Sequence, residues 1–196
     1  MADIVDIPRK VRFIAIDPGS RTLGLAVLEY NFDDNTLTVL FTRCLNVDEG
    51  MTHLQYMTDL VGTRRARLYL IHRFLTEQIR EWCPGFVIME TPYMGSFAQV
   101  FKVLVEIEKT IEAIITDFGN GISLFKIDPS TVKKTIGVSG KSGDKSLMLA
   151  AVKALSNLVL KAGIVLDEIT EHEVDAIAVG HYICVAEMKD EVLSHV

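Results

Sequence analysis

Cysteine is scarce in this chain, and the scarcity is the first constraint on what it can be. Three thiols in 196 residues, Cys44, Cys83 and Cys184, are odd in number, far apart and set in apolar surroundings. That excludes a disulfide framework and a cysteine zinc site, and predicts buried thiols in a reducing, cytoplasmic setting. Long apolar runs are missing too. None approaches the roughly 18 residues of a membrane span, and Met1 to Asp6 lacks the basic and apolar regions of a signal peptide, so no membrane partner is expected. No repeat, low-complexity segment or linker interrupts the chain. A protein of this length buries roughly 70% of its unfolded surface without staples, and residues 1–196 read as a single domain.

Positive charge is short overall: 20 Lys and Arg face 26 Asp and Glu, a net charge of −6. Taken globally, that argues against a nucleic-acid partner. The distribution argues the other way. From Lys126 to Lys161 there are seven lysines against Asp128 and Asp144, whereas residues 162–196 carry eight acids against Lys189. Arg64, Arg65, Arg67, Arg73 and Arg80 form a second basic cluster. Such runs are usually solvated helix faces; here they also suit a basic groove beside an acidic pocket, as a polyanion bridged by metals requires.

The acids sit at the ends of apolar segments. Asp17 ends the run Phe13-Ile14-Ala15-Ile16 and opens the turn Asp17-Pro18-Gly19-Ser20, after which Leu23-Gly24-Leu25-Ala26-Val27 resumes. Glu90 ends a second run, Val87-Ile88-Met89, with Thr91-Pro92 behind it, and Asp175 lies in the apolar helical stretch 172–178. Each has an ordinary reading alone, as a turn residue, a loop acid or an acid near a helix N-terminus. Together they are costly to gather unless cations join them. Two divalent ions fit the carboxylates, Mg²⁺ with Mn²⁺ as a substitute, and would serve phosphodiester hydrolysis. In that scheme Asp17 bridges the ions, and Glu90 and Asp175 hold one each. His172, three residues before Asp175 and so on the same helix side, ligates a metal or handles the attacking water. Lys145 contacts the scissile phosphate, and Lys133, Lys134 and Lys141 supply further phosphate contacts.

The pattern predicts strands at 12–17, 23–31, 36–45, 85–90 and 122–127. Helices are expected at 65–82, from a Ser96 cap to 118, at 129–135, 144–161 and 172–188, with an irregular segment at 46–62. That order is an α/β fold: a five-stranded mixed sheet with helices on both faces, Asp17 on its central strand. The helix over 96–118 is apolar on more than one face, which predicts a homodimer formed through it.

These pieces resemble the RuvC-family Holliday junction resolvases, within the ribonuclease H-like nuclease fold. The resemblance is carried by Ile16-Asp17-Pro18-Gly19-Ser20 with Gly24, Ile88-Met89-Glu90, Val132-Lys133-Lys134-Thr135, Gly143-Asp144-Lys145-Ser146 and the segment His172 to Ala178, in family order over about residues 11–185. It implies Asp17, Glu90, His172 and Asp175 as the metal-binding catalytic set, assisted by Lys133 and Lys145. It also implies a homodimer that nicks a four-way DNA junction symmetrically, with Tyr93 at the position of an aromatic that stacks on crossover bases. A recombination helicase is a further candidate partner. The acidic balance, the tail after Lys189 and a loop at Lys141 longer by one residue depart from the family pattern.

Three other readings compete. An actin-like sugar kinase shares the Asp-x-Gly hairpin, but the chain lacks a second phosphate loop and is about half the length such a kinase needs. A ribonuclease H-fold nuclease acting on structured RNA and a non-catalytic junction-binding protein are the alternatives that stay open.

Overall fold

The computed structural model describes residues 9–94, 98–119, 121–138 and 145–186, the side chain of Lys145 excepted. Three strands come first: β1 (Lys10–Asp17), β2 (Thr22–Asn31) and β3 (Thr36–Asn46). Helices α1 (Val47–Thr52), α2 (Gln55–Val61) and α3 (Thr63–Trp82) lead to β4 (Phe86–Glu90), α4 (Ala98–Phe118) and β5 (Ser123–Ile127). The chain continues through α5 (Pro129–Thr135), α6 (Lys145–Lys153), β6 (Leu158–Leu160) and α7 (Glu171–Ala186). The sheet order is β5-β4-β1-β2-β3-β6, with β1–β2 and β2–β3 antiparallel and the other pairs parallel.

The centre of β1, Phe13 to Ile16, is at most 1% exposed, because helices cover both faces of the sheet. Alternate residues therefore enter different cores. Phe13 and Ala15, with Phe86 and Ile88, pack under α7, while Ile14 and Ile16, with Val87 and Met89, pack under α3 and α4. Helix α7 is apolar on every side, since β1 and β2 lie beneath it and α5 and α6 beside it.

Two glycines set how close α7 lies. A Cβ on Gly180 would fall 1.9 Å from Leu28 Cδ1 and 3.2 Å from the Ala15 Cβ, and one on Gly24 would fall 2.0 Å from the His172 carbonyl oxygen. The missing side chains let the helix backbone rest on the strands.

The fold is the expected mixed α/β sheet, with one correction. A sixth strand, β6, pairs in parallel with β3, so the helix expected over 144–161 ends at Lys153. The exposed edge of β3 captures the segment that follows. Leu37 donates its N–H to the Asn157 carbonyl at 2.8 Å, and the Asn157 side chain donates to the Asn35 carbonyl at 3.3 Å. The irregular segment is two short helices, α1 and α2. Of the three thiols expected to be buried, Cys184 is; Cys44 is half-buried, and Cys83 is exposed, because it caps α3 in the left-handed conformation (φ 45°) immediately before Pro84. The expected Ser96 cap lies outside the described residues.

Gly24→Ala should cost more stability than Gly180→Ala, because its Cβ meets backbone and the other meets the tip of a side chain. Overpacking of the Gly180 kind costs about 1–3 kcal/mol. Urea unfolding of both variants checks the order; a Gly24→Ala protein as stable as wild type would mean that α7 does not rest on Gly24.

Candidate active site

Parallel register brings Asp17 and Glu90 together. Strands β1 and β4 pair with Ala15 opposite Ile88 and Ile16 opposite Met89. The next pair along is Asp17 and Glu90, at the C-terminal ends of adjacent strands about 4.8 Å apart. Both are in phase with the residues that pack under α7, so both side chains leave the sheet on that face.

The third acid arrives on α7. Thr170 and Glu173 form a capping box at its start: the Thr170 N–H and hydroxyl donate to Glu173 Oε2 at 2.9 and 2.8 Å, and the Glu173 N–H donates to Thr170 Oγ1 at 3.3 Å. Glu173 is thereby a buried structural acid. The same turn carries His172 and, one turn on, Asp175. His172 Nδ1 lies 2.7 Å from Asp17 Oδ2, and its Nε2 lies 2.8 Å from Thr22 Oγ1. A carboxylate can only accept, so Nδ1 donates to it; the Thr22 hydroxyl then donates to Nε2 in the neutral ring or accepts from it in the charged ring.

Electrostatics mark the cluster as strained. Burial, then the Asp17 and Asp175 charges, push the Glu90 carboxyl up to about 8, with Lys133 opposing. Burial, then Asp17, push Asp175 up to about 6, with His172 and Lys133 opposing. The hydrogen bond to Asp17 raises the His172 imidazole against the opposing effect of burial. Lys133, half-buried on α5, is thus the cation that both acids feel.

The chemistry of this donor set, buried oxygen ligands short of compensating charge, suits hard divalent cations. Among the described residues, no three His, Cys, Asp or Glu side chains converge closely enough to hold an ion as they stand. A cavity of about 410 Å³ opens beside His172 and Asp175, walled by Met148, Leu149 and Ile169.

Of the other residues singled out from the sequence, Tyr93 is 70% exposed three residues beyond Glu90. Lys134 is exposed in the last turn of α5. Lys145 is the first residue of α6, and Lys141 lies outside the described residues. Sequence reasoning missed Thr22, whose partner is 150 residues away, and the capping box, which Thr170-x-x-Glu173 did signal.

The model of the family "Crossover junction endodeoxyribonuclease RuvC" matches residues 13–184. The chain belongs to the RuvC family. RuvC-family membership gives the enzyme class, a crossover junction endodeoxyribonuclease. One relative, RuvC of Caldanaerobacter subterraneus subsp. tengcongensis, is 24% identical over 89% of this chain and 91% of its own. T. thermophilus RuvC in complex with a Holliday junction substrate has the same fold, with a TM-score of 0.64 at 16% identity, covering 87% of this chain and 91% of that one. The yeast mitochondrial Holliday junction resolvase Ydc2 gives a TM-score of 0.65 at 13% identity, over 89% and 78% of the two chains.

The raised groups make stability depend on pH. Glu90, Asp175 and His172 all bind protons more tightly folded than unfolded, so their contribution is fully present at low pH and lost as pH rises through the folded values. Metal-free protein should therefore lose stability between about pH 5 and 8. Glu90→Gln should flatten the upper part of that decline, between about pH 6 and 8. Thermal melts at stepped pH check it; an unchanged slope in the variant would remove Glu90 as its source.

Proposed function

We propose that this chain resolves four-way DNA junctions as a homodimer, by hydrolysing one phosphodiester per protomer at the Asp17–Glu90–Asp175 cluster. What supports the reading is that Asp17 and Glu90 end neighbouring parallel strands in phase with one face of the sheet, and that Glu90 feels the charges of both Asp17 and Asp175. Asp17, Glu90 and Asp175 would hold two Mg²⁺ ions, with Mn²⁺ as a substitute. Bound divalent ions supply charge relief on the leaving oxygen and an activated water.

The chain's own residues do the rest. His172, held between Asp17 and Thr22, can take the proton of an attacking water, or ligate an ion after giving up one of its bonds. Lys133 offsets the charge of Glu90 and Asp175 and would meet the phosphate as it enters, with Lys134, Lys141 and Lys145 as further phosphate contacts. Tyr93, exposed at the same rim, would stack on an unpaired crossover base.

The dimer reading rests on α4. Its Ile107, Ile111, Ile114 and Ile115 are buried in the core, whereas Val100 is 55% exposed, and Phe101 and Val105, one turn apart, belong to neither core cluster. Two copies of that stripe, related by a two-fold axis, would bury it and set two sites on the two strands of one junction.

Asp17→Asn should abolish cleavage of a synthetic four-way junction in Mg²⁺ while leaving junction binding largely intact. The expected loss is on the order of 4 kcal/mol in the transition state, about a thousandfold in rate. Near-normal turnover by the variant would remove Asp17 from the site, and wild-type cleavage of a branched RNA in preference to the DNA junction would favour the RNA reading.

A further inference from the structure

Across the same rim, on the opposite face of the sheet, lies a cavity of about 270 Å³ that none of the chemistry above uses. Ser20, Thr63, Arg64 and Arg67 line it, over a floor that includes Leu68 and Ile107. Its composition is unusual for its place. Arginines at 64, 65 and 67 crowd the first turns of α3, whose first turn holds no acid, although a helix N-terminus favours anions and disfavours cations. The capping residue is Gly62, which offers no side chain to the amides that follow.

The arginines are only partly neutralised. Arg64 pairs with Glu106, and Arg67 pairs with Asp48 at 2.7 Å, but Asp48 also accepts from Arg21 at 2.6 Å. Three guanidinium groups thus share two carboxylates. The side chains of Arg64 and Arg67 stay 53% and 33% exposed despite these pairs. A tetrahedral oxyanion in the cavity would meet their guanidinium edges together with the Ser20 and Thr63 hydroxyls.

Position gives the oxyanion a source. Ser20 is the third residue after Asp17 in the β1–β2 turn, so the cavity lies within about 11 Å of chain from the carboxylate cluster. We propose that it is an anion subsite, which holds one backbone phosphate of the strand being cut, a few nucleotides from the scissile bond. The DNA would then pass over the sheet rim from the α7 face to the α3 face. This rests on the junction-nuclease reading.

The test compares wild type, Thr63→Asp and Arg67→Gln for binding a labelled four-way junction in Ca²⁺, alongside their melting temperatures. Thr63→Asp is the decisive variant, because an acid in the first turn suits the helix dipole while its charge repels a phosphate. It should weaken junction binding about tenfold with no loss of melting temperature, and Arg67→Gln should reduce the salt slope by about one. Inorganic phosphate should raise the melting temperature of the wild type and not of Thr63→Asp. Wild-type junction affinity in both variants, or a phosphate response that survives in both, would overturn the subsite. A wild-type protein that responds to phosphate but does not bind the junction would refute the nuclease reading and, with it, the DNA occupant.

Discussion

Repulsion between carboxylates at neighbouring strand ends is the constraint on which the rest of this structure depends. β1 and β4 run parallel and in register, so Asp17 and Glu90 leave the sheet side by side on one face. Asp175 then joins them from α7. Burial alone would make these acids expensive, and their mutual charge makes them more so. The strain is held by packing that the acids do not contribute: apolar residues on both faces of β1, and a helix seated on Gly24 and bringing its own Gly180 against Leu28 and Ala15. One carboxyl that titrates at about 8 and another at about 6 are the electrostatic record of that arrangement.

Helix α7 is where fold and chemistry meet. Its capping box fixes the first turn, and the contact between the His172 carbonyl and Gly24 fixes its height over the sheet. The same turn presents His172 to Asp17. A small shift of α7 would therefore change the distances from Asp175 and His172 to the strand-end acids at once, which is why Gly24 beneath the helix and Gly180 within it matter to a reaction they do not touch.

Much of this was legible in the chain, and the rest was hidden for physical reasons. Asp17 and Glu90 could be read as strand-end acids because each closes an apolar run shortly before a proline. Their shared face could not, because strands buried on both sides show no alternation from which to read phase. β6 was hidden inside a helical pattern: Met148, Val152, Leu155 and Val159 keep helical spacing past the end of α6, and only pairing with β3 decides the last of them. The bond from Thr22 to His172 joins residues 150 positions apart and left no local trace. Cys83 looked buried from its apolar neighbours, yet the chain turns outward there ahead of Pro84.

If the three acids form one cluster that needs a cation, metal binding must displace protons. Proton release on Mg²⁺ binding is therefore the most direct measurement, by calorimetry at pH 7 in two buffers of different ionisation heat. With Glu90 at about 8, the metal-free cluster still carries about one proton at pH 7, and a bound cation should expel it. Release of about one proton per protomer is expected at about pH 7, and almost none at about pH 9.5. Binding without proton release at pH 7 would contradict a shared, cation-requiring cluster.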